Sequence, residues 1–237
     1  MNTNKNIHYY QKALLRALTT CPEGERFNRL IVEGLESEHM NYHLKQLIDM
    51  GYVMKENALY TLSDKGKDFT NRMDDLIETV EKQPKTSIII WGVRKSGNAN
   101  TLEHLVNRRL RHPYYGKVGR ITGKVRFGET LVEAAQRELY EETGLTAKNF
   151  NLQKIYHKLR HRPSGEDVQD VIFYIFLVSD FTGSMITKTQ HQENFWITKD
   201  DVKNKRYDFY DDFTVEENLT PQSHITFYEH SAVADGY

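Results

Sequence analysis

Several things are scarce in this chain of 237 residues, and each scarcity excludes something. There is one cysteine, Cys21. No disulfide can form within the chain, and no zinc site can be built on paired cysteines. A chain without disulfides suits a reducing compartment, so the cytoplasm is the expected location. Long apolar runs are missing: no stretch approaches the ~18 residues that would cross a bilayer, and no membrane partner is expected. The opening MNTNKNIHYY has neither an apolar core nor a cleavage site, so no signal peptide is read there. Net charge is almost absent, at −1, and bulk charge predicts no polyanionic partner. Apolar residues make up 38% of the chain, which allows one large domain or two modest ones.

What the chain does have is concentrated between Gly123 and Leu145, in GKVRFGETLVEAAQRELYEETGL. Thr130 and, three residues on, Glu133 form the signature of a capping box. Leu131, Ala134, Ala135 and Leu139 recur at helical spacing and can face a core. Gly144 stands where a helix C-terminus takes glycine. Glu138, Glu141 and Glu142 share one helix face, and like charges so placed repel. A hard divalent cation removes that penalty, because Mg²⁺ is shared between carboxylates, waters and substrate phosphates. Arg137 can brace Glu141 one turn away, and Glu129 lies just ahead of the helix. A solvated acidic face is the bland alternative for each glutamate taken singly.

The same stretch resembles the Nudix box, Gly-x5-Glu-x7-Arg-Glu-(aliphatic)-x-Glu-Glu-x-Gly-(aliphatic). Its defined positions are filled by Gly123, Glu129, Arg137, Glu138, Leu139, Glu141, Glu142, Gly144 and Leu145. Thr122 stands where many members carry a second glycine. The resemblance implies a mixed sheet between helices, an α/β/α sandwich, over residues 86–237. The flanking pattern is compatible with it. SIIIWGV from Ser87 reads as a buried strand, Leu102 to Arg109 as a second, and Val118 to Thr122 as an entry to the box. Leu152–Lys158, Val171–Ser179 and Phe195–Ile197 read as strands, and Thr198 with Asp201 as a helix start. The acidic, aromatic remainder from Asp208 reads either as a helix and strand packing back or as an oligomer contact.

Residues 1–82 read as a separate small domain. Tyr9, Ala13, Leu14, Ala17 and Leu18 mark a first helix, with a turn at Pro22-Glu23-Gly24. Phe27, Leu30, Ile31 and Leu35 suggest a short second helix, and Glu36 to Met50 a third that Gly51 closes. Tyr52–Lys55 and Ala58–Leu62 suggest a hairpin around Glu56-Asn57. Ser63 opens a last helix through Phe69, Met73, Leu76 and Val80. The phrase LKQLIDMGYVMKENALYTLSDKGKDF is similar to the end of bacterial winged-helix regulators, an α+β fold. That implies an interface with double-stranded DNA through Asn41, Tyr42, Lys45 and Gln46 on the third helix. Acidic and basic residues nearly balance over residues 1–85, and Glu38 and Asp49 disfavour phosphate. Dimerisation or protein docking is therefore the equal alternative. Glu81–Thr86 is the expected linker.

For the chemistry, the resemblance implies that Glu138, Glu141 and Glu142, with the Gly123 carbonyl, hold Mg²⁺, with Mn²⁺ as a substitute. Glu129 would support the loop and reach a second metal through water. Arg137 would orient a carboxylate, and Glu138 would ligate or help deprotonate the attacking water. A carboxylate outside the box often completes such sites, and Glu193 is placed for it, with Glu166 and Asp167 as rivals. Arg160, Arg162 and Lys124 are candidate phosphate clamps. Tyr156, Phe173, Tyr174 and Trp196 are candidates to stack a base, with core packing the more common fate. Histidines 104, 112, 157, 161 and 191 show no ligand spacing.

The expected function is Mg²⁺-dependent hydrolysis of a nucleoside diphosphate joined to another moiety, by a chain that can pair into a homodimer. The alternative is a DNA-binding regulator whose Nudix domain senses a nucleotide-type metabolite. Such regulators carry the two folds in the opposite order, and the full set of carboxylates here favours catalysis. Isopentenyl diphosphate isomerase chemistry, also known on this fold, needs a cysteine in the catalytic domain, and Cys21 lies in the other.

Overall fold

The computed structural model describes residues 7–30, 32–73, 82–97, 101–112, 114–210 and 224–233. The chain divides into two compact units, Met1–Lys82 and Gln83–Tyr237. Among the described residues no helix is long and apolar enough to cross a membrane.

The first unit holds α1 (Tyr9–Thr19), the short β1 (Glu25–Arg26), α2 (Ser37–Asp49), the hairpin β2 (Val53–Glu56) and β3 (Leu59–Leu62), and α3 (Asp64–Asn71). The strands order as β1-β3-β2. Leu14, Leu15 and Leu18 of α1 meet Met40, Leu44 and Leu47 of α2 and the hairpin's Val53, Tyr60 and Leu62 in one buried cluster. The hairpin turns on Asn57 and Ala58, at φ 51° and 66°, the left-handed pair that matches strand twist in a two-residue turn. The second helix expected from Phe27, Leu30, Ile31 and Leu35 does not form. A single 3₁₀ turn at Phe27–Arg29 stands there instead. Leu30 is extended and Gly34 lies at φ 74°, yet Phe27, Leu30 and Leu35 still reach the core. Apolar spacing here serves a loop folded over the cluster. The last helix stops earlier than expected: α3 ends at Asn71 with Arg72 as its C-cap, so Met73 lies beyond it, and Leu76 and Val80 lie outside the described residues.

The second unit is built on a mixed sheet. It comprises β4 (Lys85–Lys95), β5 (Leu102–Arg109), β8 (Thr146–His161), β9 (Asp167–Thr182), β10 (Gln192–Thr198) and β11 (Thr226–Val233), ordered β10-β5-β4-β9-β8-β11. Pairings β4–β9 and β8–β11 are parallel; β4–β5, β5–β10 and β8–β9 are antiparallel. Two short strands, β6 (Val118–Gly119) and β7 (Ile121–Lys124), pair with β5 and β4. Among the described residues of this unit the helices are α4 (Leu131–Thr143) and α5 (Lys199–Lys203).

Alternation along β4 decides what lies on each face. Ile88 and Ile90 join Ala134, Ala135 and Leu139 of α4, with Phe176 and Val178 of β9, in the core beneath that helix. Ile89 and Trp91 face the other way, with Tyr156 and Ile175. Buried on both faces, β4 carries the continuous apolar run that its sequence shows. Each tryptophan lies under a guanidinium: Arg120 is 3.8 Å from the Trp91 ring and Arg94 is 4.1 Å from the Trp196 ring. Of the residues after Asp208, β11 returns as a parallel strand on β8; residues 211–223 lie outside the described set.

Candidate metal and diphosphate site

The candidate site is organised by how α4 begins and ends. At its start the Thr130 hydroxyl accepts from the Glu133 N–H while the Glu133 carboxylate accepts from the Thr130 N–H, the full capping box. At its end Gly144 adopts φ 71° and donates its N–H to the Tyr140 carbonyl at 2.8 Å. Between these stops, one face carries Glu138, Glu141 and Glu142, and β7 runs along it. The two elements meet at Gly123. A Cβ there would lie 1.9 Å from Cδ of Glu138, so the carboxylate occupies the space that any other residue would fill.

Arg137 is the hub. Its Nε and Nη2 donate to the two oxygens of Glu129 at 2.6 and 2.9 Å. Nη1 donates to Glu138 at 2.7 Å and to Glu141 at 3.1 Å, and Nη2 also reaches the Lys124 carbonyl at 2.9 Å. One guanidinium thus ties the box loop to the helix, and bidentate geometry of this kind is arginine's own. These hydrogen bonds, with the Arg126 backbone N–H on Glu129 at 3.0 Å, hold the Glu129 carboxyl down at about 2. The same carboxylates raise Arg137 above its ordinary value. Glu142 moves the opposite way. Burial, and then the negative charge of Glu138, push it above the usual carboxylate range.

That difference is informative for a cation. Among the described residues, no three His, Cys, Asp or Glu side chains are gathered closely enough to hold a metal as they stand. Glu138 and Glu141 are instead drawn onto guanidinium groups. The donor set still fits a hard divalent ion. Three carboxylates share a face, one of them unfavourably charged by burial and its neighbours, and Gly123 leaves the clearance that Glu138 needs. Residues able to hold Mg²⁺ or Mn²⁺ are Glu138, Glu141, Glu142 and the Gly123 carbonyl, with Glu129 one shell out behind Arg137.

The other expected participants are dispersed. Glu193 of β10 is held by Lys188 at 2.8 Å and Arg108 at 2.9 Å, and Lys188 foremost lowers its pKa. Its neighbours Gln192 and Asn194 both donate to the Glu142 carbonyl, at 3.0 and 2.7 Å. Strand alternation therefore sends Glu193 to the opposite side of β10. Glu166 pairs with Arg162 at the β8–β9 hairpin tip, where Asp167 faces His161 at 3.7 Å. Arg160 is buried and Lys124 exposed. Tyr156 is buried, Phe173 packs on its cluster, and Tyr174 and Trp196 pack beneath α4. His104 accepts from the Trp91 indole at 2.8 Å; burial, then Arg120 and Lys199, lower it to about 4.

Sequence reasoning missed three contributors. Arg126 donates to both oxygens of Glu141 at 3.2 Å, and its place inside the box loop was the available signal. Gln192 and Asn194 satisfy a carbonyl at the end of α4, where backbone acceptors are otherwise orphaned. They are distant in sequence, and nothing local announces them.

The site's geometry can be set against known proteins. A NUDIX domain family model matches residues 85–216. The mutator MutT protein from Bacillus halodurans is similar over 65% of this chain and 93% of its own, at 20% identity and TM-score 0.53. A MutT NUDIX hydrolase from Burkholderia pseudomallei is similar over 50% of this chain and 86% of its own, at 24% identity and TM-score 0.41. The NUDIX domain of NrtR from Shewanella oneidensis, crystallised with ADP ribose, is similar over 67% of this chain and all of its own, at 15% identity and TM-score 0.44. The first of the three supports the shared fold, and the other two carry no argument. Since the family model spans more than half of the chain and every defined position of the box is filled, this chain belongs to the NUDIX family of hydrolases.

Proposed function

We propose that the chain hydrolyses the diphosphate linkage of a nucleoside diphosphate joined to another moiety, in a Mg²⁺-dependent reaction. The observation that carries this reading is the grouping of Glu138, Glu141 and Glu142 on one face of α4 against Gly123. When bound, the cation would neutralise the diphosphate and make a water nucleophilic. The water oxygen attacks one phosphorus, the bridging P–O bond breaks, and two phosphoryl products leave. Arg137 ties Glu138 and Glu141 to the box loop, which limits how far either carboxylate must move when the cation and substrate arrive. Glu138 either completes the ligand set or accepts the proton of the attacking water. Glu193, expected from sequence to complete the site as base or ligand, enters here as a group that fixes Arg108.

The test is a panel of ADP-ribose, dinucleotides, nucleotide sugars and nucleoside triphosphates, with Mg²⁺ or Mn²⁺ and phosphate detection. Glu141→Gln and Glu142→Gln should each cut turnover by orders of magnitude with the fold intact. Unchanged metal-dependent turnover in both ends the ligand assignment.

We also propose that the first unit is a winged helix that contacts double-stranded DNA through α2. Asn41, Tyr42 and Lys45 are exposed there and Gln46 is half-buried. The arrangement of helices and hairpin supports the reading. Its measurement is salt-dependent binding of the full chain to a duplex library at low salt. Absence of binding leaves the unit to protein docking or to homodimer formation, which light scattering resolves. The single cysteine supports the cytoplasm as the compartment.

A further inference from the structure

Two guanidinium groups meet the carboxylates of α4, and they are held very differently. Arg137 is 15% exposed along its side chain and is fixed by Glu129, Glu138, Glu141 and the Lys124 carbonyl. Arg126 is 61% exposed along its side chain. Its backbone N–H is anchored to Glu129, so the Cα is set while the side chain is loosely placed. Among the described residues, the recorded polar partner of that side chain is Glu141, whose two oxygens it reaches at 3.2 Å. A strong charge-assisted contact is shorter, roughly 2.7–2.9 Å.

From this contrast we infer that Arg126 is a substrate-binding arginine stored on Glu141, released when a divalent cation takes that carboxylate. The inference rests on the diphosphate hydrolase reading above. Glu141 has two oxygens, and Arg126 covers both of them. A cation bound at Glu141 competes with Arg126 for these oxygens, one of which already accepts from Arg137 at 3.1 Å, and the exposed arginine is the one that yields. The displacement costs little, because an exposed pair contributes little net. Arg137 stays, since Glu129 holds it independently of Glu141.

The released side chain has a place to go. Arg126, Phe127, Gly128, Gln136 and Arg137 line an open cavity of about 580 Å³ beside the box loop, together with Glu129 and Glu133, whose carboxylates are engaged by Arg137 and by Thr130. Phe127, the next residue, is fully exposed. A guanidinium fork matches two phosphate oxygens, and an exposed ring beside it offers an apolar face to the group attached to the diphosphate. Metal and diphosphate binding then become linked: the cation frees the arginine, and the diphosphate gives it a new partner. Such coupling is reciprocal.

The experiment is Arg126→Ala in the full chain, with Arg126→Lys as the milder variant. Mn²⁺ affinity is measured by paramagnetic resonance, first alone and then with α,β-methylene-ADP. The alanine variant should bind Mn²⁺ about three- to five-fold more tightly, the size of one lost exposed ion pair. It should bind the analogue in the presence of Mn²⁺ about tenfold more weakly, as loss of one good phosphate contact implies. The lysine variant should fall between on both readouts. Unchanged or weaker Mn²⁺ binding in the alanine variant overturns the storage role, and unchanged analogue affinity overturns the clamp. If the wild type binds no Mn²⁺ and cleaves nothing in the panel, the hydrolase reading itself has failed and takes this inference with it.

Discussion

Replacing Gly123 with alanine separates the stability of the fold from the assembly of the site. The backbone there is outside the left-handed region, so alanine meets no backbone strain. The conflict is with one side chain. The new Cβ would stand 1.9 Å from Cδ, 2.1 Å from Cγ and 2.3 Å from Oε1 of Glu138. Carbon atoms pack at about 3.5–4.0 Å, so the carboxylate must retreat by at least about 1.5 Å. Glu138 is 9% exposed and bonded to Arg137 at 2.7 Å, so retreat breaks that contact and strains its surroundings. Overpacking of this sort costs about 1–3 kcal/mol. A cost of about 2 kcal/mol lowers the melting temperature of a unit this size by about 4–8 °C. Because the clashing atoms belong to a side chain and not to backbone, the fold survives. Turnover suffers far more, since about 1 Å of misplacement at a reacting centre costs about a hundredfold. Calorimetry together with Mg²⁺-dependent phosphate release measures both. An unchanged melting temperature with unchanged turnover would refute the close packing of Gly123 on Glu138 and its role in the site.

Further outcomes follow from the same geometry. Glu142→Gln removes a carboxylate whose folded-state pKa is raised by burial and Glu138. Its charge opposes folding once pH rises past the unfolded value. The metal-free variant should therefore melt higher at neutral pH while losing at least about 100-fold in metal-dependent turnover; a lower melting temperature contradicts the sign. His157 lies between Glu229 and Asp170, at 2.9 Å from each, and Glu229 foremost raises its pKa. That contribution is fully present below about 6.5, the unfolded value, and is lost as pH rises through the raised folded value. Amide protection along β11, read against His157→Gln, should fall through that window; parallel profiles for the two proteins would exclude the clamp. Asn194→Ala leaves the Ile186 carbonyl without the donor that reaches it at 2.8 Å. The same amide donates to the Glu142 carbonyl at 2.7 Å, and losing the two bonds costs about 1–3 kcal/mol, to be checked by urea unfolding at fixed m-value.

The box was legible because its instructions are local. Capping, apolar spacing, Arg137 bracing Glu141 and the closing glycine all act within a few turns, and each appears in α4 as its residues dictate. Strand β4 was legible for the same reason, since a buried strand writes its burial in consecutive residues. The segment from Phe27 to Leu35 misled because a loop can satisfy an apolar spacing as well as a helix can, and Gly34 at φ 74° was the warning. Glu193 was chosen by its place in the chain, yet pairing with β5 and the alternation of β10 decide where it points. The grip of Gln192 and Asn194 on the Glu142 carbonyl joins residues about fifty positions apart. Only the folded sheet brings them together.

The two stacked tryptophans have a practical use. Trp91 and Trp196 are the chain's full complement, and both belong to the Gln83–Tyr237 unit. Indole emission is therefore a built-in optical label for that unit alone, silent about its neighbour. Each ring is capped by a guanidinium, so melting should strip the cap and wet the indole together. Plotted beside the far-ultraviolet dichroism of the whole chain, that red shift would show whether the units let go in concert or one after the other.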